Sequence, residues 1–358
     1  MTAPVLDSHC DTPSQILRLR DIALDSDHSQ VDLPKLKKGG VDASFFALYV
    51  PASMDSDSGF EYACRLYDGV ADAVASNPEA LAFAFSAEEI LRNMAMGLFS
   101  VCLGLENGEP LASAPSRLVD FYGKGVRYVT LCHSRDNSLC DSCAQGTTWH
   151  GLSPFGREMV RRMNSLGMMV DVSHISDEAF YDVLRVSSKP VVATHSCCRA
   201  LARHPRNMTD AMIRDLASEG GVIQINFYPV FLDDGFRNVL LASGLEEKGE
   251  SVENAFIARP WEESARNAWY KVLDELSALP RPSYKRIVDH IDHVVNLVGI
   301  DHVGLGSDFD GICVTPQGLD SVASFSLILE ELSRRGYSQS DITKISGGNF
   351  LRVWEGNC

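Results

Sequence analysis

The sequence predicts an α/β protein folded as a (β/α)8 barrel of the TIM type, and three observations support this prediction. Eight short apolar runs alternate with helical patterns along most of the 358 residues, as expected of β/α units around a parallel sheet. Several runs, such as ASFFALYV at 43–50, are apolar at successive positions, which is typical of strands covered on both faces. No glycine-rich G-x-G-x-x-G follows the first run, which disfavours a doubly wound open sheet.

The eight predicted strands, in chain order, are residues 4–9, 43–50, 101–106, 127–133, 168–174, 191–195, 221–227 and 302–308. Helices between them begin at recognisable caps. Ser153 precedes Pro154, which suits the first helical position, and Ser176 precedes the helical stretch DEAFYDVLRV in the same way. Eight strands with helical crossovers favour a single barrel domain over residues 1–358.

One stretch breaks the alternation. Residues 233–284 are polar, include EEKGES and WEESARNAW, and separate predicted strands seven and eight. We expect a long helical insertion here, with two interpretations left open. It is either a solvated addition that the fold tolerates, or a lid or subunit contact.

Composition excludes several classes of protein. With 32 basic and 48 acidic residues the formal charge is −16, and no Lys/Arg stripe of the kind that neutralises nucleic-acid phosphates is present. No run approaches the ~18 apolar residues of a membrane span, and no signal peptide is visible, so the expected location is the cytoplasm. The ten cysteines are scattered along a chain without secretory context and should be mainly buried thiols. The single C-x-x-C at Cys140 and Cys143 lacks a second pair at zinc-ribbon spacing, which disfavours a zinc site there.

Six of the eight predicted strands end in a side chain able to bind metal or transfer a proton. These residues are His9 with nearby Asp11, then Glu106, His133, His174, His195 and Asp308. Each alone has an ordinary interpretation as a core histidine or a turn former. Strand ends of a barrel converge on one mouth, however, and so many buried ionisable groups would stay unpaired without a cation. The pattern therefore predicts a metal site.

The residue types limit the metal. His9 and Asp11 are two positions apart, so both project to one side of an extended strand and can chelate one ion. Imidazole mixed with carboxylate suits zinc, with manganese, iron and cobalt as alternatives. Five ligands exceed one tetrahedral ion with an open position. Two ions about 3.5–4 Å apart, bridged by Glu106, account for the number better.

Motifs over essentially the whole chain resemble the membrane (renal) dipeptidase family of metallopeptidases, a branch of the amidohydrolase superfamily. The motifs are DSHCD at 7–11, LPKLKKGGVDASFFALYVP at 33–51, GLENG at 104–108, YVTLCHS at 128–134, GLSPFGREMV at 151–160, DVSHIS at 171–176, THS at 194–196, RN at 206–207 and VGLGSDFDG at 303–311. Their order and spacing together are far more specific than any one of them.

The resemblance implies a zinc dipeptidase with two Zn²⁺ per chain and a metal-bridging hydroxide as nucleophile. By motif position, His9 and Asp11 hold one zinc, His174 and His195 hold the other, and Glu106 bridges them. The same resemblance makes Asp308 the acid–base group. It assigns His133 to the substrate and its oxyanion, and Arg206 to the substrate carboxylate. The family also has a tyrosine near the substrate, and here either Tyr228 or Phe231 occupies that point.

The resemblance also implies which substrate and which other partners to expect. The ligand is a dipeptide with a free C-terminal carboxylate, including L-D dipeptides; neither a nucleic acid nor a membrane is expected, and a homodimer is left open. Arg135 stands where secreted members carry a disulfide cysteine, and no hydrophobic tail precedes Cys358, so a soluble, bacterial-type member is expected. Alternatives are another binuclear amidohydrolase, such as a deaminase or lactonase, and a non-enzymatic metal-dependent binding protein.

Overall fold

A parallel β-barrel organises the chain. The computed structural model describes residues 4–144 and 147–358, and within them nine strands form one sheet. Eight strands follow one another around the barrel in the order β1-β2-β4-β5-β6-β7-β8-β9, while β3 pairs only with β4. The strands are β1 (Leu6–Cys10), β2 (Ala43–Tyr49), β3 (Leu81–Phe83), β4 (Phe99–Glu106), β5 (Val126–Thr130), β6 (Met169–Asp171), β7 (Val192–Ser196), β8 (Val222–Ile225) and β9 (Val303–Leu305).

Every strand pair of the sheet is parallel, and the ring is nearly closed. In-register pairing runs from Leu6 of β1 opposite Ala43 of β2 to Ile225 of β8 opposite Leu305 of β9. Just beyond β9, Phe309 forms a parallel bridge with Cys10. The Asp11 amide donates a hydrogen bond to the Phe309 carbonyl at 2.8 Å. The predicted TIM-type barrel is therefore confirmed.

The described residues also contain sixteen α-helices, most of them on the outside of the barrel. They are α1 (Thr12–Leu17), α2 (Leu33–Gly39), α3 (Ser56–Ser76), α4 (Ala87–Ala95), α5 (Arg117–Gly123), α6 (Pro154–Leu166), α7 (Asp177–Val186), α8 (Asp210–Ser218), α9 (Pro229–Leu232), α10 (Asp234–Ser243), α11 (Leu245–Ala258), α12 (Glu263–Ser277), α13 (Lys285–Val298), α14 (Ser326–Arg334), α15 (Gln339–Thr343) and α16 (Asn349–Asn357). Short 3₁₀ turns cover Glu109–Leu111, Ile300–His302 and Val322–Ser324, and a π turn covers Lys344–Gly348.

The predicted helix starts at Ser153 and Ser176 are correct. The Ser153 hydroxyl accepts from the Gly156 amide, and the Ser176 hydroxyl accepts from the Ala179 amide. These bonds satisfy amides that the first helical turn leaves without a partner. The two caps fix where the chain leaves the barrel mouth after β5 and β6.

Three predicted strand ends are wrong. The structure ends β5, β6 and β9 at Thr130, Asp171 and Leu305, three residues before His133, His174 and Asp308. These three side chains therefore lie on loops at the barrel mouth. His174 and Asp308 have left-handed backbone, with φ of 71° and 62°, which is incompatible with a strand. The apolar runs also gave no sign of β3, which is only three residues long.

The barrel interior is filled at its lower end by aromatic and aliphatic side chains. Buried residues of seven barrel strands form one cluster with the C-terminal helix α16. The Phe45 ring lies edge-on to Phe350 at 5.1 Å and to Trp354 at 5.2 Å between ring centroids. Helix α16 thus covers the end of the barrel opposite to the strand C-termini, and the polar strand ends are left at the other mouth.

The long excursion between β8 and β9 is helical, as predicted. Its helices α10, α11 and α12 pack around a small core of their own that includes Phe236, Phe256 and Trp269. The excursion also contacts the barrel mouth, where Arg18 Nη1 lies 3.1 Å from Glu253 Oε1 of α11. Among the described residues, every helix is too short or too polar to cross a lipid bilayer.

Candidate metal centre

The structure brings the predicted metal ligands together at the C-terminal end of the barrel strands. His9 lies within β1, Asp11 follows that strand, Glu106 is the last residue of β4, and His195 lies in β7. His174 joins them from the loop after β6. All except His174 are at most 5% exposed. Residues up to 186 positions apart in the chain therefore share one cavity, as the convergence of barrel strands predicts.

Glu106 lies between two groups of histidines. Its Oε2 atom is 3.5 Å from His9 Nε2. Its Oε1 atom is 3.2 Å from His174 Nε2 and 3.4 Å from His195 Nε2. The two carboxylate oxygens thus face different imidazoles, which is the arrangement that a carboxylate bridging two cations requires.

A second carboxylate group completes the His9 side. His9 Nε2 is 3.5 Å from Asp11 Oδ2, and donor atoms of His9, Asp11 and Asp308 all lie within 4.8 Å of one another. Two further sets meet the same criterion: His9 with Glu106 and His195, and Glu106 with His133 and His174. The sets overlap, so the donors form one continuous centre.

Burial and neighbouring charges shift the pKa values of the side chains in the centre. Burial, together with the charge of Glu106, raises the pKa of Asp11 to about 8. Although burial disfavours its charge, Glu106 has a pKa well below the usual range because His9, His174 and His195 surround it. Burial holds the pKa values of His174 and His195 well below the ordinary value, so both rings are neutral. At His9 the effect of burial is outweighed by Glu106 and Asp11, which raise its pKa well above the ordinary value. Metal binding requires the imidazoles in their neutral form.

The donor geometry fits a metal ion. His9 Nε2 is buried and has no hydrogen-bond partner among the described residues, although two carboxylate oxygens lie 3.5 Å away. Two ligands bound at ~2.1 Å with a tetrahedral angle are ~3.4 Å apart. The distances of 3.2–3.5 Å between the His9, His174 and His195 nitrogens and the Glu106 oxygens agree with that spacing.

His133 lies at the edge of the centre. Its ring is 4.3 Å from that of His174 and 4.8 Å from that of Tyr49, between centroids. Its Nε2 is 3.9 Å from Glu106 Oε1, and its Nδ1 is buried without a hydrogen-bond partner in the described part of the chain. Burial lowers its pKa, so the ring is neutral and adjoins the donors without a strong bond to any of them.

Arg206 faces the centre from the loop after β7. Its Nη1 donates to Ser196 Oγ at 2.8 Å and its Nη2 donates to the His195 carbonyl at 2.7 Å. Its Nε is buried and, among the described residues, has no acceptor. Its positive charge lies near three histidine rings and adds to burial in lowering the pKa of His133, His174 and His195.

Asp308 and its neighbours form the opposite wall. Asn226 Nδ2 donates to Asp308 Oδ2 at 2.8 Å, and burial raises the pKa of Asp308. Gly311 leaves room for both nearby carboxylates, because a Cβ there would lie 2.2 Å from Asp11 Oδ2 and 2.6 Å from Asp308 Oδ1. Asp308 Oδ1 thus faces the same space as Asp11.

The two aromatic candidates lie side by side. The Tyr228 and Phe231 rings meet edge to face at 5.0 Å. The Arg206 guanidinium is 5.8 Å from the Phe231 ring centre. Burial raises the pKa of the Tyr228 hydroxyl, and the neighbouring Cys313 and Asp308 add to that shift. Cys140 and Cys143 are free thiols and belong to none of the donor groups found among the described residues.

Several residues of the site were not predicted from sequence as functional. Asn226 contacts Asp308, Tyr49 packs on His133, and Tyr128, Thr194 and Asp171 lie behind the histidines. Four of these side chains are hydroxyls or amides, which are not usual metal ligands, and Asp171 stands three residues before His174, the ligand type that its motif offers. Their positions inside the motifs at 33–51, 128–134, 171–176 and 194–196 were the available signal for all of them except Asn226.

Comparisons with known proteins agree with this geometry. The family described as membrane dipeptidase (peptidase family M19) matches residues 1–357. An uncharacterized dipeptidase of Schizosaccharomyces pombe is 31% identical over 98% of this chain and 80% of its own. The crystal structure of the probable dipeptidase PvdM from Pseudomonas aeruginosa has a TM-score of 0.83 at 28% identity, covering 99% of this chain and 95% of that one. A metallopeptidase from Rhodobacter sphaeroides, liganded with a phosphinate mimic of L-Ala-D-Ala, shares the fold over both full chains at TM-score 0.82 and 23% identity.

Proposed function

Because the chain belongs to the membrane dipeptidase family, peptidase family M19, it is a peptide hydrolase of the dipeptidase class. We propose that it cleaves dipeptides with a free C-terminal carboxylate, and that it does so at a centre of two zinc ions. The proposed substrates include dipeptides with a D-residue at the C-terminal side, as the family tolerates. The native metal is proposed as zinc because imidazole and carboxylate donors suit it.

The position of Glu106 carries the proposal of two ions. His9 and Asp11 would hold one ion, His174 and His195 would hold the other, and Glu106 would bind both through separate oxygens. When bound, such a pair supplies Lewis acidity that polarises a carbonyl and lowers the pKa of water to ~7. The remaining chemistry belongs to the side chains around it.

Arg206 is proposed to bind the substrate carboxylate. Two of its nitrogens are occupied by Ser196 and the His195 carbonyl, which fixes the guanidinium plane, while Nε has no partner in the described structure. A carboxylate placed there would pair with a buried positive charge through a charge-assisted hydrogen bond. Longer peptides lack a carboxylate at that distance from the scissile bond, which explains a preference for dipeptides.

Asp308 is proposed as the acid–base group. Asn226 holds its Oδ2, and Oδ1 remains directed at the space beside Asp11. A carboxylate in this position can accept a proton during attack and deliver it to the leaving amine. His133 lies at the edge of the centre, and its Nδ1 has no hydrogen-bond partner among the described residues. It is proposed to bind the substrate carbonyl oxygen as charge develops on it.

The experiment is a substrate panel on metal-free and metal-restored protein. The panel contains L-Ala-L-Ala, L-Ala-D-Ala, a tripeptide, a lactone and an aminated heterocycle, each with zinc, manganese or cobalt. We expect hydrolysis of both dipeptides after metal is restored and little or none of the tripeptide. Turnover of the lactone or heterocycle without dipeptide cleavage would favour another amidohydrolase activity, and metal binding without any turnover would favour a binding protein.

A further inference from the structure

Two of the proposed ligand histidines are held from behind by hydroxyl groups. His9 Nδ1 lies 2.9 Å from the Tyr128 hydroxyl, and His195 Nδ1 lies 2.8 Å from Thr194 Oγ1. All four residues are at most 1% exposed, so water does not compete for these bonds. Because a hydroxyl can donate or accept, the direction of each bond depends on where its own hydrogen goes.

The Thr194 hydrogen is committed to Asp171. Thr194 Oγ1 is 2.7 Å from Asp171 Oδ2, which also accepts from the Thr130 hydroxyl. Asp171 Oδ1 accepts from the amides of Ser173 and Thr194 at 3.0 and 2.9 Å. Four donors thus converge on a carboxylate, which only accepts. Thr194 must donate to Asp171 and accept from His195, so His195 carries its hydrogen on Nδ1.

The Tyr128 hydroxyl also has an acceptor of its own. It donates to the Ser8 carbonyl at 3.3 Å, which leaves its oxygen lone pairs directed at His9 Nδ1. Gly104 leaves room for this ring, because a Cβ there would lie 2.1 Å from the Tyr128 ring. Glycine in the middle of β4 thereby makes the space from which this hydroxyl reaches His9 across the barrel.

We propose that Tyr128 and Thr194, the latter backed by Asp171, are positioning residues that keep His9 and His195 as Nδ1–H tautomers and direct both Nε2 lone pairs at the metal centre. This inference rests on the proposed function, since it concerns the same centre. Hydrogen bonding behind a ligand histidine fixes its tautomer and ring orientation, and its loss usually costs 10–100-fold in metal affinity.

The first test measures zinc affinity by competition with a chelator. Tyr128→Phe keeps the ring and removes only the hydroxyl, and Thr194→Val keeps the shape and removes the hydroxyl. We expect each to bind zinc 10–100-fold more weakly than wild type. Thr194→Ser should restore affinity to within about threefold, because the hydroxyl returns. Tyr337→Phe is the matched control, since its hydroxyl bonds Asp292 at 2.7 Å, away from the centre.

The second test reads the imidazole hydrogens directly. In zinc-loaded protein with ¹⁵N-labelled histidine, wild type should show two Nδ1–H signals protected from exchange, assigned to His9 and His195. Tyr128→Phe should expose the first and Thr194→Val the second. This readout follows the hydrogen bond itself and stays interpretable for Tyr128→Phe even if Thr194→Val fails to fold.

Wild-type zinc affinity together with protected Nδ1–H signals in Tyr128→Phe would overturn the role of Tyr128, and the same result in Thr194→Val would overturn that of Thr194. Failure of Thr194→Ser to restore affinity would also count against the hydroxyl. Failure of the proposed function looks different, because wild-type protein would then bind no zinc, or would bind zinc without cleaving dipeptides, before any variant is compared.

Discussion

Two residues of the candidate centre, His174 and Asp308, have left-handed backbone, with φ of 71° and 62°. Non-glycine residues in this region cost ~1–3 kcal/mol, and such strain tends to accumulate at functional sites. Neighbouring hydrogen bonds fix both conformations: the Cys143 amide donates to the His174 carbonyl at 2.8 Å, and the Asp308 amide donates to the His9 carbonyl at 3.0 Å. The strain lies where each side chain must turn from its strand toward the centre.

Asp308→Asn isolates the acid–base role. Asparagine tolerates positive φ and keeps the oxygen that accepts from Asn226, so the fold should be retained. We expect both metals to stay bound while kcat falls ~10²–10⁴-fold, the usual size of an acid–base contribution. Steady-state kinetics with metal analysis of the same sample measures this. Near-normal turnover at full metal content would remove Asp308 from the chemistry.

Arg206 should discriminate between a carboxylate and an amide. Capping the C-terminal carboxylate of a dipeptide leaves the buried guanidinium poorly compensated, at a cost of ~2–4 kcal/mol. Amidated dipeptides should then have kcat/KM values roughly 30- to 1000-fold lower, and Arg206→Ala should narrow that gap. Both substrates are measured on both proteins at fixed zinc. Equal cleavage of acid and amide by wild type contradicts the assignment.

The sequence indicates the residues proposed to bind metal and to react, but not those proposed to position them. His9, Glu106 and His195 were predictable because imidazole and carboxylate side chains that close successive apolar runs must meet at one barrel mouth. Tyr128 and Asp171 were not, since a buried tyrosine or aspartate acquires its role only from distances across the barrel. The His9 ring meets a residue 119 positions away, and no local pattern encodes that contact.

At the scale of elements, helix α13 is tied to the barrel by a buried histidine. His290 Nδ1 accepts from the Cys198 amide at 3.1 Å, and its Nε2 lies 3.1 Å from the Leu232 carbonyl, to which it donates. One neutral ring thus joins α13 to the loop after β7 and to the end of α9. Burial lowers the pKa of His290 to about 4, so the native state keeps it uncharged.

The His290 contacts predict a loss of stability in acid. The unfolded chain binds a proton near pH 6.5 and the native ring only near pH 4, so between these values the unfolded state binds more protons. This contribution to stability is present above pH 6.5 and declines by up to ~1.4 kcal/mol per pH unit below it. Urea unfolding at pH 7.5 and 5.0 gives the loss of unfolding free energy for metal-free wild type and for His290→Gln. The loss should be larger in wild type, because groups that titrate in both proteins contribute equally to both. Parallel pH dependence would show that His290 does not stay neutral.

The ion pair between Arg18 and Glu253 links the insertion to the barrel mouth. Its nitrogen and oxygen are 3.1 Å apart. Burial raises the pKa of Tyr49, the ring against His133, and Glu253 is among the acidic groups that add to this shift. We expect Glu253→Gln to raise KM about 3- to 10-fold, because the insertion loses its ion pair with the barrel mouth. The free energy of unfolding should change little, since partly exposed ion pairs contribute only ~0–1 kcal/mol.

The matched control for Glu253 lies within the insertion itself. Glu275 pairs with Lys248 between α12 and α11, so Glu275→Gln removes an ion pair without touching the mouth. Its KM should equal that of wild type. An unchanged KM in Glu253→Gln would support the simpler interpretation, in which the insertion is a solvated addition that the fold tolerates.

For the whole molecule, the barrel was predictable and its details were not. Successive apolar residues identify strands buried on both faces, and eight such runs leave few arrangements open. The loop positions of His133, His174 and Asp308 depend on where the backbone turns, which the runs do not record. The role of the excursion depends on Glu253 reaching Arg18 across 235 positions, a contact that composition cannot indicate.

The candidate centre also connects distant parts of the barrel. Its proposed ligands come from β1, β4, β7 and the loop after β6, so an unfolded chain would not hold them together. A ligand that binds only the native state stabilises it by ~2.7 kcal/mol at 100 times its dissociation constant. Metal occupancy should therefore appear as thermal stability of the whole protein, whatever the substrate proves to be.

Removing metal should lower the melting temperature. For two ions at 100 times their dissociation constants, the stabilisation of ~5 kcal/mol corresponds to a shift of roughly 5–10 °C in a chain of this size. Calorimetry with chelator and with saturating zinc measures the shift, and elemental analysis should find two ions per chain. His174→Asn serves as the partial variant, since asparagine tolerates the positive φ at this position while removing one imidazole. It should retain about half of the metal and of the shift, because only one of the two ions loses a ligand. Equal melting temperatures with chelator and zinc, or an unchanged metal content in His174→Asn, would contradict a centre of two ions held by these residues.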